Sequence, residues 1–209
     1  MQKPIVNYET LLKITKAISV LRDPDEIVLV TVEGVSTTLK VKGCALFLLN
    51  PKHDKLELAG SYGLSDEYLA KGPVNALRSI PGALKDQQPV GIYDVTDDPR
   101  IQYPQAAVKE GIASILSVPI SSARKLIGCL RIYTTDPWEF TLNDVNFVQA
   151  VGQLVGMALE LCRINRGLKE SIDILKTMRD PSLLKSKRRT PFEGVPKSFA
   201  PDKVPETST

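Results

Sequence analysis

Apolar residues recur along this chain first at spacings of three and four, then at two, and at the end at three and four again. Leu11, Ile14, Ile18 and Leu21 predict a first helix over 7–21. Asp23 can cap a second helix, with Pro24 at its first position and Glu26 completing an Asp-x-x-Glu capping box. Val28, Val32, Val35 and Leu39 then share one face; the run is rich in β-branched residues, but the period and the cap decide for helix. After Lys40 the period becomes two. Residues 43–49 form an apolar run suited to a central strand, 50–54 a turn, and 55–62 an alternating hairpin partner.

The middle of the chain predicts a short helix over 65–70, a helix over 74–85, and a strand over 88–95 ended by Thr96-Asp97-Asp98-Pro99. One helical turn is expected over 106–110. Two apolar runs, 113–120 and 125–134, form a hairpin, with Pro119 marking an edge or a bulge. Thr141 to Asp144 resembles a capping box with the shorter acid and opens a long helix to about Arg179. Strands joined by short turns pair antiparallel, so the class is α+β with helices flanking the sheet.

That last helix carries a second pattern. Phe147, Leu154, Leu161, Leu168 and Leu175 repeat every seven residues, with Val151, Ala158, Asn165 and Ile172 four positions after each of the first four. A two-position seam of period 3.5, with one polar Asn to fix register, is what a parallel coiled coil requires. The first half, with Gly152 and Gly156, suits packing on the sheet. The second half is expected to form a homodimer, so that Leu154, Leu161, Asn165, Leu168, Ile172 and Leu175 are the partner contacts. The expected organisation is a domain over 1–163, a helical extension over 164–179 and a tail over 180–209.

The tail holds five of the chain's fifteen prolines and six basic residues against four acidic ones. With so little apolar surface to bury, it reads as disordered. Its basic run, 185–189, has no interleaved aromatic residues to stack on bases, so nucleic acid is not the expected partner. Net charge is only +3 over 209 residues, and no membrane span is expected. Met1-Gln2-Lys3-Pro4 lacks the apolar core of a signal peptide, which makes the cytoplasm the expected location. Cys44, Cys129 and Cys162 are an odd, widely spaced set in apolar runs, the pattern of reduced, structural cysteines.

Phosphate-binding glycine loops, GxSxG, HExxH and paired CxxC motifs are absent from the chain. The one histidine, His53, falls in a turn, and Asp97-Asp98 reads as turn chemistry rather than a metal site. No metal or cofactor is implied, and no catalytic residue.

The stretches Gly111-Ile-Ala-Ser-Ile-Leu-Ser-Val-Pro-Ile120, Leu126-Ile-Gly-Cys-Leu-Arg-Ile132 and Phe140-Thr-Leu-Asn-Asp144, followed by a long helix, closely resemble the C-terminal half of a GAF domain. Gly63-Leu-Ser-Asp-Glu67 and Pro89-Val-Gly-Ile-Tyr-Asp-Val95 resemble it upstream. The resemblance covers about Tyr8 to Arg163. It implies a six-stranded antiparallel sheet flanked by helices, with a small-molecule cavity on one face. Five strands are predicted above, so the sixth lies hidden near 80–84 or elsewhere in the middle. The implied cover of the cavity is 74–85 and 94–103. The polar groups it would offer are Arg78, Tyr93, Asp94, Arg100 and Tyr103, with Tyr62 and Arg131 from the sheet.

The chain departs from three specialised GAF groups. It lacks the Asn-Lys…Phe…Asp-Glu pattern of cyclic-nucleotide binders and the Cys-His pair of bilin attachment. The mid-domain cysteines of free methionine sulfoxide reductases are missing from 60–111. The resemblance therefore implies a non-enzymatic sensory or signalling module that binds an unidentified small molecule and acts through its last helix on a signalling partner. The alternatives are a ligand-free interaction and dimerisation module, and a redox enzyme resembling free methionine sulfoxide reductase.

Overall fold

A computed structural model describes residues 8–20, 23–50, 55–75, 80, 86–123 and 125–179. Arg78, His53, the basic run 185–189 and the expected disordered tail lie outside the described residues. The elements are α1 (Tyr8–Val20), α2 (Pro24–Leu39), β1 (Gly43–Asn50), β2 (Lys55–Tyr62), α3 (Asp66–Leu69), β3 (Val74–Asn75), β4 (Val90–Ile92), α4 (Pro104–Lys109), β5 (Ser114–Ser122), β6 (Lys125–Thr134) and α5 (Leu142–Arg179).

Local chemistry sets the helix ends. The Asp23 carboxylate accepts the Asp25 N–H at 2.9 Å, so α2 starts where Pro24 fits without losing a bond. Lys40 closes α2 in the left-handed region at φ 51°. At α5, the Asp144 carboxylate accepts the Thr141 N–H at 2.8 Å while Thr141 Oγ1 accepts the Asp144 N–H at 3.3 Å. That is the reciprocal capping box, made with Asp.

The six strands form one antiparallel sheet in the order β3-β2-β1-β6-β5-β4. The period of two sorts its side chains into two cores. On one face Cys44, Leu46, Leu116, Val118, Ile120, Leu130 and Ile132 meet Val28, Val32, Val35 and Leu39 of α2 and Phe147, Val148, Val151 and Val155 of α5. Each fully buried valine there stabilises the fold by about 2 kcal/mol. On the other face Ala45, Phe47, Ile115, Cys129 and Tyr133 meet Tyr68 of α3, Ala107 of α4, Ile92 and Ile80.

Pro119 sits where the period requires: β4 pairs only with Ile115 to Ser117, so nothing there needs a proline N–H, and the β5–β6 register shifts just beyond, at Ile120/Ser121.

Two expectations for the middle of the chain are corrected. Val74 and Asn75 do not start a helix; they pair with Leu56 and Lys55 as the sixth strand. Ile80 has φ +54°, outside any helix, and the rest of 76–85 lies outside the described residues. The strand expected over 88–95 shrinks to Val90–Ile92. Gln87 at φ +50° turns the chain before it, and the Asp94 side chain folds back on the Thr96 N–H after it.

A window within Leu142–Met178 of α5 has mean hydropathy 1.3, long and apolar enough by length and composition alone to cross a membrane; a third of it is buried in the fold. The buried part includes Val148, Val151, Gly152, Val155 and Gly156, and a core helix shares this composition for that reason.

By its contacts the chain divides into two units, Met1–Ile164 and Asn165–Thr209. In the second, every described side chain from 166 to 178 is exposed.

Candidate functional site

The second core face is closed by α3 and α4, two short helices that the chain brings together from forty residues apart. Ser65 caps α3, its hydroxyl oxygen accepting the Tyr68 N–H at 3.2 Å. One turn later Lys71 folds back: its Nζ donates to the Tyr68 carbonyl at 3.0 Å and lies 3.4 Å from the centre of the Tyr68 ring. Pro104 opens α4, and Gly111 at φ +73° ends it, returning the chain to β5.

Gln102 and Tyr103, just before α4, latch onto the segment after α3. Gln102 Oε1 accepts the Asn75 N–H at 3.0 Å, and its Nε2 donates to the Pro73 carbonyl at 3.2 Å and to Tyr103 Oη at 3.0 Å. Tyr103 Oη in turn donates to the Pro73 carbonyl at 3.0 Å.

Between the two helices lies a cavity of about 600 Å³, lined by Glu67, Tyr68, Lys71, Gln102, Tyr103, Pro104, Gln105, Ala106, Lys109 and Glu110. Its volume suits a small metabolite. Tyr68 packs edge-on against Tyr133 of β6, ring centres 5.8 Å apart. Arg131, two residues before Tyr133 and on the same sheet face, is buried with its guanidinium 5.3 Å from the Phe47 ring centre.

The electrostatics are graded from wall to sheet. Burial, reinforced by the Arg131 charge and opposed by Glu110, lowers the Lys71 ammonium to about 8. Burial pushes the Tyr68 phenol up to about 12, with Arg131 opposing, and raises Tyr133 well above its ordinary value. Cys129 faces this side beside Ser117 and Arg131, and burial raises its thiol; Cys44, on the opposite face, is raised the same way. Both are thiols at neutral pH, not thiolates.

Of the candidates from sequence, Tyr103 lines this cavity and Arg131 lies in the sheet near its Tyr68–Lys71 wall. Tyr93 lines a separate concavity of about 490 Å³ with Gly91, Trp138, Glu139, Phe140 and Val145. Tyr62 is exposed at the end of β2. Asp94 is taken up by Thr96, and the Arg100 guanidinium by Asp98, while the Arg100 carbonyl accepts the Ile80 N–H at 3.2 Å. Arg78 lies outside the described residues. The cover expected from 74–85 and 94–103 is, in the described residues, α3 and α4 with Gln102 and Tyr103 at the join. Sequence reasoning missed Tyr68, Lys71, Gln102, Glu110 and Tyr133. One signal was available for Tyr133: it shares the period of two with Arg131 inside an apolar strand.

Among the described residues no group of three or more His, Cys, Asp or Glu is arranged to hold a metal ion.

Comparison with known proteins agrees with this architecture. The GAF domain model matches residues 23–159, and the chain belongs to the GAF domain family. It is 24% identical over 166 residues to a Nif-specific regulatory protein of Herbaspirillum seropedicae, a match that takes in 76% of this chain and 30% of that protein. Its fold is that of the GAF domain from a phosphoenolpyruvate-protein phosphotransferase of Coxiella burnetii, with a TM-score of 0.68 at 17% identity over 76% of this chain and 95% of that one. It is also that of free methionine-R-sulfoxide reductase from Neisseria meningitidis, solved with its substrate, with a TM-score of 0.65 at 18% identity over 75% and 90% of the two chains.

Proposed function

We propose that this chain is a sensory module of the GAF family, binding a small molecule in the cavity between α3 and α4 and passing the occupancy on through α5 to a partner. The observation that carries this reading is the cavity itself: two short helices held over a finished sheet by side-chain latches, enclosing polar groups that the fold does not need for its core. A ligand shifts such a module only by binding one of its states better than another, and α3 and α4 are the elements small enough to move at little cost. The Nif-specific relative is named a regulatory protein, which supports a regulatory rather than an enzymatic role. All three cysteines are free, as suits a reducing compartment such as the cytoplasm.

Native mass spectrometry of protein purified without refolding tests this. One small-molecule adduct per chain is expected, and it is lost in Gln102→Ala, which unlatches the cavity. Bare chains that no member of a broad metabolite panel stabilises against heat overturn the reading.

A second function rests on a separate observation. Leu161, Leu168, Ile172 and Leu175 are all exposed large apolar residues on one helix, spaced as a seam. We propose that they form a homodimer contact with Leu154 and Asn165. This seam serves a ligand-free interaction module equally well. The redox alternative has less support, since the Cys44 and Cys129 thiols are buried and held protonated.

A further inference from the structure

We propose that the α3–α4 cavity takes an anion, a carboxylate or phosphate group carried on an otherwise apolar or aromatic small molecule, and that Lys71 is the group that holds it. This rests on the ligand-binding reading above and adds the chemical class of the ligand.

The argument starts from pairing. Glu67 on the cavity wall bonds Lys109, and Glu110 is engaged by Ser65 and Lys42. Lys71 differs. Its ammonium makes one hydrogen bond, to the Tyr68 carbonyl, and no carboxylate among the described residues lies within ion-pair distance of it. An ammonium has three N–H donors, so two are left for whatever enters the cavity. A partly desolvated charge without a counter-ion is unfavourable, and an anion at Nζ removes that penalty.

The two carboxylates of the lining, Glu67 and Glu110, are paired with Lys109 and Lys42. Arg131 adds positive charge from the sheet, second to burial in lowering Lys71 and opposed by Glu110, and it repels a cationic ligand. The Tyr68 and Tyr103 rings with Pro104 and Ala106 supply an apolar wall for the rest of the molecule. The groups facing Lys71 are Glu67 and Tyr68 from α3, Tyr103, Lys109 and Glu110 from α4 and its approach, and Arg131 from β6. Tyr68 is displaced to about 12, so it does not exchange its proton in the range where Lys71 does.

Anion affinity therefore follows the Lys71 proton. Once the amine deprotonates, above about 8, affinity falls roughly tenfold per pH unit.

Calorimetry and thermal shift on the full chain test this with three probes: benzoate, phenyl phosphate and the neutral benzamide. Benzoate or phenyl phosphate is expected to bind at pH 7 at least tenfold more tightly than benzamide, and the stronger of the two tells a carboxylate ligand from a phosphate one. Lys71→Met is expected to lose at least tenfold in anion affinity, Lys71→Arg to keep it within a few fold, and wild-type affinity to drop about fivefold between pH 8 and 9 and about tenfold between pH 9 and 10. Benzamide binding as tightly as the anions, or undiminished anion binding by a folded Lys71→Met, overturns the anion assignment and leaves the ligand-binding reading standing. No binding by any probe overturns the anion assignment as well, while the ligand-binding reading stands or falls on its metabolite panel.

Discussion

The Glu110 carboxylate accepts two hydrogen bonds from one residue forty-five positions earlier: the Ser65 backbone N–H at 3.0 Å and the Ser65 hydroxyl. Ser65 is the N-cap of α3 and Glu110 the C-cap of α4, so a single side chain joins the two helices that wall the cavity. Lys42, at the entry to β1, adds an ion pair at 3.4 Å. Burial pushes the Glu110 carboxyl up, but the Ser65 bonds and Lys42 outweigh it and hold the group below its ordinary value.

Glu110→Gln is therefore expected to destabilise the domain by about 1–2 kcal/mol at pH 7, since it weakens charge-assisted bonds that a neutral amide reproduces poorly. The folded-state value is depressed, so this stability is fully present above the unfolded value near 4.5 and is lost as pH falls through the folded one. Urea unfolding of the two proteins at pH 7 and at pH 3 checks it: the gap narrows in acid. Equal stability at pH 7 means the clamp contributes nothing.

Lys71 predicts the opposite sign. Its folded-state value of about 8 lies below the ordinary 10.5, so protonated Lys71 weakens the fold. Below pH 8 both states carry the proton and the burden is complete. Between pH 8 and 10.5 the folded form sheds its proton first, and stability rises. Lys71→Met is expected to stabilise the empty domain at pH 7 by up to about 1 kcal/mol, a figure kept small by partial solvent exposure. The advantage shrinks towards pH 10. Chemical denaturation at pH 7, 8.5 and 10 reads this directly, and a destabilised variant at pH 7 contradicts it.

Legibility from sequence followed the range of the interactions. Lys55–Tyr62 and Lys125–Thr134 came out with the bounds expected, because a turn and a period of two are local signals. The Thr141–Asp144 cap was legible for the same reason. Val74-Asn75 was not, because two residues carry no period and only pairing with Leu56 and Lys55 makes them a strand. The cavity shows the limit most clearly. Arg131 stood out as a charge inside an apolar strand, but Lys71 matters through the Tyr68 ring beneath it and because no carboxylate among the described residues lies within ion-pair distance of it. Neither fact is a property of the segment around Lys71. Asp94 and Arg100, which the resemblance placed among the polar groups of the cavity cover, are occupied by neighbours two positions away.

Two glycines of α5 separate helix propensity from packing. A Cβ on Gly156 lies 2.6 Å from the Ser121 carbonyl oxygen and 3.2 Å from Ile120 Cγ2, whereas one on Gly167 meets nothing within 4 Å. Alanine gains about 1 kcal/mol over glycine inside a helix. Gly167→Ala is expected to keep that gain as raised helix content by circular dichroism. Gly156→Ala loses it to displacement of α5 from β5 and destabilises the domain by about 2 kcal/mol. The same sign for both variants contradicts the close approach.

The seam of α5 gives the last prediction, which separates association from folding. Leu168 is 56% exposed, so its replacement takes nothing from the core of the chain itself. Leu168→Lys is therefore expected to leave the melting of the isolated chain within about 0.5 kcal/mol of wild type. In a two-stranded seam it faces its own copy, and two opposed lysines in an apolar stripe disfavour pairing. Light scattering after size exclusion is expected to show a wild-type dimer and a Leu168→Lys monomer. Asn165→Leu is expected to remain associated but to lose its single state, because a polar seam residue favours the two-stranded register in which it finds a partner. A wild-type chain that stays monomeric at tens of micromolar removes the dimer contact and leaves the exposed leucines for a different protein. A dimer that survives Leu168→Lys moves the contact off this seam.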